Sequence, residues 1–197
     1  MQNSFSNTES VKQQYCNDKN LAARYKLHEK HSTSKQGFTS WLWEQYHFCE
    51  NSRILELGCG NANQWVNRTL LTGCDVILSD FSEGMVDIAK AKHEKHKNFS
   101  FQQIDIQSIP FADESFDIVI ANHMLYHVPD LHKALLEVKR VLRPGGKFYT
   151  STNGSNGMQM FLHEAFKRFD ADTEAFSEQL SFTLQNGNAL LGSISQM

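Results

Sequence analysis

The stretch ILELGCGNANQW, residues 54–65, decides the fold. Ile54, Leu55 and Leu57 read as part of a buried strand, Arg53–Leu57, with Glu56 the one carboxylate set into it. Gly58 and Gly60 follow, separated by Cys59, where only a small side chain fits. A polar run then opens a predicted helix over 61–71. A strand that ends in Gly-x-Gly before a helix lets a ligand approach backbone N–H groups at the helix N-terminus. The dinucleotide fingerprint G-x-G-x-x-G needs a third glycine for close helix–strand packing, and Asn63 stands at that place. The motif present is acid-x-Gly-x-Gly. A carboxylate beside the strand end suits a cationic group, such as an amino acid ammonium, and not a pyrophosphate.

Outward from this turn, short apolar runs alternate with amphipathic segments. Further strands are predicted at 75–79, 99–103, 116–121 and 147–152. Helices are predicted at 82–96 and 130–142, the second carrying Leu131, Ala134, Leu135, Val138, Val141 and Leu142 as one stripe. Arg143-Pro144-Gly145-Gly146 stops that helix, because proline cannot continue it. Such alternation predicts an α/β fold: a doubly wound, mostly parallel sheet with helices on both faces. Upstream, residues 11–31 and 37–48 suit helices, the second with Trp41, Trp43, Tyr46 and Phe48 as core. Residues 1–50 thus read as an N-terminal helical cap and residues 51–197 as one compact domain. Near the end, Phe161, Ala165, Phe166 and Phe169 mark a helix, 182–184 a short strand and QNGN at 185–188 a turn.

Two more acids fall at strand ends. Asp80 ends the second strand, where a carboxylate accepts from ribose hydroxyls. Asp105 ends the third, placed to accept from an adenine amino group. Three acids at successive strand ends mark the ligand edge of an open α/β sheet.

With these residues in place, the chain resembles the class I S-adenosylmethionine-dependent methyltransferases, of the small-molecule type. ILELGCGNA (54–62) resembles the first motif of the family, and SDFSEGMV (79–86) its acid loop. QIDIQSIPFADESFDIVIANHMLYHV (103–128) and EVKRVLRPGGKFYTST (137–152) resemble the segments that follow. The match covers about residues 50–152. The N-terminal ARYKLHEKHSTSKQGFTSWLWEQY (23–46) resembles helices of some bacterial members. The resemblance implies S-adenosyl-L-methionine as cofactor and S-adenosyl-L-homocysteine as product, with no metal. It implies that Gly58, Cys59 and Gly60 form the close turn and that Glu56 anchors the amino acid part. Asp80 would hold the ribose, Phe81 and Met85 would pack near the adenine, and Asp105 and the backbone of Ile106 would meet it. Asn122 would sit near the methyl group. Ala62 stands where many members carry a third glycine, a mild change because alanine is nearly as small.

Methyl transfer asks the protein to position and dehydrate the reactants, and some acceptors need a base. The candidates after the fourth strand are His123, Tyr126 and His127; Tyr15, Tyr25, His28 and His31 are candidate lid residues. Enzymes that methylate amino groups of nucleic acids carry Asn/Asp-Pro-Pro-aromatic after that strand, and this chain reads Asn122-His123-Met124-Leu125. The net charge of −3 also speaks against nucleic acid and anionic membrane. A small-molecule acceptor is therefore expected. The polar N-terminus, the lack of an apolar run of about 20 residues and four cysteines (Cys16, Cys49, Cys59, Cys74) without metal spacing point to the cytoplasm and reduced thiols.

The family sheet usually closes with antiparallel strands. Too little chain follows the predicted helix at Phe161–Phe169 for them, so these strands are expected to be shortened or missing. The fifth strand would then expose an edge, which favours a homodimer. Two alternatives stay open here: a cofactor-binding protein with little or no turnover, and an NAD-type oxidoreductase, which Asn63 and Glu56 disfavour.

Overall fold

The computed structural model describes residues 6–195 apart from 16, 156 and 178. Cys16 lies outside the described residues; Cys49, Cys59 and Cys74 are free thiols. Five strands, β1 (Arg53–Leu57), β2 (Asp75–Asp80), β3 (Phe99–Gln103), β4 (Phe116–Asn122) and β5 (Leu142–Ser151), form one parallel sheet ordered β3-β2-β1-β4-β5. The helices are α1 (Thr8–Gln14), α2 (Lys19–His31), α3 (Phe38–Gln45), α4 (Glu83–His93), α5 (Leu131–Val141), α6 (Met158–Lys167) and α7 (Gly187–Ser195). The expected doubly wound α/β architecture is present. No helix among the described residues is long and apolar enough to cross a membrane.

Strand alternation builds two cores from one central strand. Leu55 and Leu57 point to a face shared with Val119, Ala121 and the stripe of α5. Ile54 points to the other face, with Val76, Leu78, Ile118, Trp65 and Ala89 of α4. The period of two therefore puts Glu56 on the Ile54 face, where it is buried. The chain winds from β1 to β2 on one side and reaches β4 on the other. The strand order thus reverses at β1, and the ligand crevice opens at the carboxyl ends of β1 and β4.

Ionic contacts fix the segment between β3 and β4. Arg140 donates to the carbonyls of Phe111 (2.7 Å) and Ile109 (2.8 Å) and pairs with Glu137 and Asp113. Glu137 in return accepts from the Ile109 N–H at 2.8 Å.

Four expectations on local structure are corrected. The helix expected at 61–71 is a single 3-10 turn, Asn63–Trp65, because Gln64 and Trp65 are drawn inward to Glu56 and Asn67 takes a left-handed φ of 58°. The helix expected at 11–31 is split into α1 and α2. The strand expected at 182–184 is absent: Phe182 is a buried core residue and the chain turns into α7 instead. Trp41 is 45% exposed, while Tyr46 is the aromatic of that segment that is buried. The Pro-Gly-Gly sequence does end α5, yet it also opens β5, where Gly145 takes φ 77° and the β4–β5 register shifts.

Candidate functional site

The glycine turn is shaped by what lies against it. Gly58 adopts φ 70°, and a Cβ there would stand 2.8 Å from Met124 Cβ. Only glycine meets both demands. Gly60 donates its N–H to Asp80 Oδ2 at 2.9 Å, and Asp80 Oδ1 accepts from the Ser82 N–H at 2.9 Å. One carboxylate thereby ties the turn after β1 to the cap of α4. Burial raises the Asp80 carboxyl against the pull of these N–H donors. Ala62 sits at φ 53°, so the missing third glycine leaves alanine in a left-handed conformation as well as adding a methyl group.

Glu56 is held on both oxygens. The Gln64 amide donates to Oε1 and the Trp65 indole N–H to Oε2. Burial pushes this carboxyl up to about 7, in spite of those two donors. Gln64 extends the network. Its Oε1 accepts from the Tyr46 hydroxyl (3.3 Å) and from the Asn122 amide (3.3 Å), and Asn122 also donates to Tyr46 Oη at 2.6 Å. Ser151 on β5 donates to Asn122 Oδ1 at 2.9 Å. A continuous polar chain thus runs from β5 through Asn122, Tyr46 and Gln64 to Glu56.

Above the sheet edge lies a cavity of about 230 Å³. Its floor comes from the strand ends: Glu56, the turn 58–60, Asp80, Asp105 and Asn122. Phe81, Ile104 and Ile106 add one side, and His123, Met124, Tyr126 and His127 another. Its roof comes from the N-terminal helices, with Tyr15, Leu21, Arg24, Tyr25 and Leu42. Asp105 accepts from the Gln107 N–H at 2.8 Å and from its side-chain amide, which orients the carboxylate. His123 has φ 50° and lies 5.0 Å from the Phe38 ring, and burial lowers its pKa. The Tyr126 hydroxyl is raised by burial.

Residues 55–150 match the family described as methyltransferase domain. The chain carries a methyltransferase domain of the class I, S-adenosylmethionine-dependent family. It is 41% identical over 98 residues to a demethylmenaquinone methyltransferase of Lactococcus lactis, covering 48% of this chain and 39% of that protein. It is 32% identical over 122 residues to the demethylmenaquinone methyltransferase of Staphylococcus haemolyticus, covering 61% of this chain and 51% of that one. The chain therefore spans about half the length of these relatives, or less. Among solved structures, the methyltransferase in complex with the Haloferax volcanii Trm112 methyltransferase activator shares the fold. Its TM-score is 0.66 at 21% identity, over 98% of this chain and 76% of that one.

The methyltransferase domain brings almost every predicted site residue to this one cavity. Met85 is the exception and is corrected: it is fully buried within α4 and does not line the cavity. Ser82 caps α4 by accepting from Met85 N, which places Met85 in the first turn of the helix. Of the candidate lid residues, Tyr15 and Tyr25 line the cavity, whereas His28 and His31 are exposed and do not. Gln64 and Tyr46 were missed by sequence reasoning. The available signal was a buried carboxylate that needed donors, followed eight and nine residues on by Gln64 and Trp65.

Proposed function

We propose that this protein transfers a methyl group from S-adenosyl-L-methionine to a small-molecule acceptor in the cytoplasm. The observation that carries this reading is the floor of the cavity: Glu56, Asp80 and Asp105 at three strand ends around a side-chain-free turn. A Cβ at Gly58 would strike Met124, which lines the same cavity, so the turn stays bare beside three carboxylates, a donor set that fits an S-adenosylmethionine-type cofactor. The group brings an electrophilic methyl on a sulfonium, and the protein supplies position and a dry site. Glu56 faces the cationic amino acid part, and Asp80 the ribose hydroxyls. Asp105 and Ile106 face the adenine, with Phe81 beside it. Asn122 is held by Ser151 and Tyr46, so its position near the methyl is set by the sheet. His123, Tyr126 and His127 are the candidate bases, and residues 1–50 act as the cap.

The glycine turn also speaks against a pyrophosphate ligand. It leads into a three-residue 3-10 turn, without the helix dipole that such a ligand uses. The net charge of −3 and the relatives' named small-molecule acceptors support a small molecule over nucleic acid.

Calorimetric titration with S-adenosylhomocysteine tests the reading. Micromolar binding is expected, and Asp80→Ala weakens it by about 10- to 150-fold, the value of one charge-assisted hydrogen bond. Because Asp80 also holds the turn, a thermal melt of the variant must accompany the titration. A folded wild-type protein that ignores the ligand sinks the reading.

Self-association goes with it. Among the described residues β5 pairs only with β4, and its other edge ends the sheet. That edge carries a homodimer, with light scattering at micromolar protein giving twice the chain mass. A monomer mass counts against it.

A further inference from the structure

We propose that Tyr15, Arg24 and His127 form a proton relay that selects a methyl acceptor bearing an acidic hydroxyl, a phenol or an enol. This rests on the methyl-transfer reading above and names the acceptor class for the same cavity.

Tyr15 follows α1 and is pinned by its backbone, whose carbonyl accepts from Ser82 Oγ at 2.8 Å. Its hydroxyl lies 3.1 Å from His127 Nε2, across 112 residues of sequence. Arg24 Nη1 stands 3.3 Å from the same hydroxyl. A guanidinium has donors and no acceptor, so the Tyr15 oxygen accepts from Arg24. Its own proton can then be given to His127 Nε2, which accepts it in the tautomer protonated at Nδ1. The Tyr15 and His127 rings meet edge-on at 5.5 Å. In that tautomer the chain has one direction: Arg24 donates to Tyr15, and Tyr15 donates to His127.

All three side chains line the cavity. Arg24 is the one lysine or arginine in its wall among the described residues, and it belongs to the roof, while the carboxylates Glu56, Asp80 and Asp105 belong to the floor. The floor suits a cationic cofactor. The roof suits an acceptor that becomes an anion as it reacts, and it disfavours an amine that arrives protonated. Leu21, Phe38, Leu42 and Val128 supply apolar wall for the body of such an acceptor.

The step balances without a further reagent. The acceptor O–H gives its proton to Tyr15 Oη as the Tyr15 proton passes to His127 Nε2. The acceptor oxygen forms a bond to the methyl carbon, the carbon–sulfur bond breaks, and its electron pair stays on sulfur. The products are a methyl ether, a neutral thioether and an imidazolium, which then loses its proton to water. Arg24 stabilises the negative charge that passes through Tyr15.

The test uses the full chain saturated with S-adenosylhomocysteine and 4-nitrophenol as probe, at a pH where the free dye is mostly protonated. Binding is expected to bring up the yellow nitrophenolate band. Arg24→Met keeps the aliphatic stem and weakens the dye by about tenfold or more, as loss of a charged partner requires. Tyr15→Phe keeps the ring against His127, leaves S-adenosylhomocysteine affinity within about twofold, and lowers turnover of simple phenols by about 10²-fold. A dye that does not bind, or binds protonated, while S-adenosylhomocysteine binds normally overturns the relay and leaves methyl transfer standing. The relay also falls if Arg24→Met weakens S-adenosylhomocysteine itself by more than about tenfold, since Arg24 then holds the cofactor carboxylate. Faster methylation of benzylamine than of phenol is equally fatal. Failure of S-adenosylhomocysteine to bind the wild type removes the methyl-transfer reading, and the relay with it.

Discussion

Gly58→Ala is expected to remove cofactor binding and to lower the melting temperature by about 6–12 °C. The backbone must hold φ 70°, and the new methyl would meet Met124 Cβ and Cγ at 2.8 Å. A left-handed non-glycine residue costs about 1–2 kcal/mol, and overpacking about 1–3 kcal/mol more. The sum, about 3 kcal/mol, corresponds to that shift for a chain of this size. Relief can come only from displacing Met124, which itself lines the cavity. Gly145→Ala is the matched control. Its φ is 77°, yet nothing lies within 4 Å of an added Cβ, so only the backbone cost of about 1 kcal/mol remains. Calorimetric melts and S-adenosylhomocysteine titrations of both variants check this. Equal melting shifts would show that contact with Met124 does not matter.

Glu56 carries the second large effect, and it depends on pH. The folded-state pKa is about 7 against an ordinary value of 4.5, so the folded protein binds more protons than the unfolded chain between these values. Stability from this group is complete below pH 4.5 and is lost as pH rises through 7, by about 3 kcal/mol in all. Asp117 and Glu137 have lowered values and act in the opposite sense, but their losses come at lower pH, as they protonate. His93 is also lowered, by burial, and loses stability as pH falls through 6.5. Urea denaturation of wild type and Glu56→Gln across this range isolates the Glu56 part, as the difference between the two slopes. A cationic ligand reverses the preference of Glu56 for its proton. S-adenosylhomocysteine affinity is therefore expected to climb with pH up to about 7 and then level off. Glu56→Ala goes further. It leaves the Trp65 indole and the Gln64 amide without their acceptor, a cost of about 2–5 kcal/mol for two buried donors. A Glu56→Ala protein that melts like wild type would show that these hydrogen bonds hold nothing together.

The strands and the acids at their ends were legible in sequence because both are local. An apolar run such as Phe116–Ala121 has no other stable place than a covered strand, and Asp80 ends β2 while Asp105 lies two residues past the end of β3. What was not legible depends on partners far along the chain. Residues 61–71 have ordinary helical character, but Glu56 claims Gln64 and Trp65, and that demand overrides propensity. Met85 has the composition of a ligand contact, and only the folded structure shows it fully buried and away from the cavity wall. Tyr15 and Arg24 carry no local sign of their role, since His127 reaches them only once the N-terminal helices fold over the sheet. The segment at 182–184 looked like a strand because Phe182 is apolar; it is buried as a plug of the core and not as a ladder member.

The parallel pairing of β1 has a consequence for synthesis. On the ribosome, β2 emerges soon after β1 and can pair with it at once. The other neighbour is distant: the Arg53 N–H waits for Asp117 Oδ2, which lies 64 residues further on. Asn122 and the wall residues to Pro129 come later still. A nascent chain thus carries the acid and the glycine turn through about a third of its elongation without a closed pocket around them. The cofactor can add stability only to the finished fold, so it cannot guide the early steps, and the half-built sheet has to rely on other protection until β4 arrives.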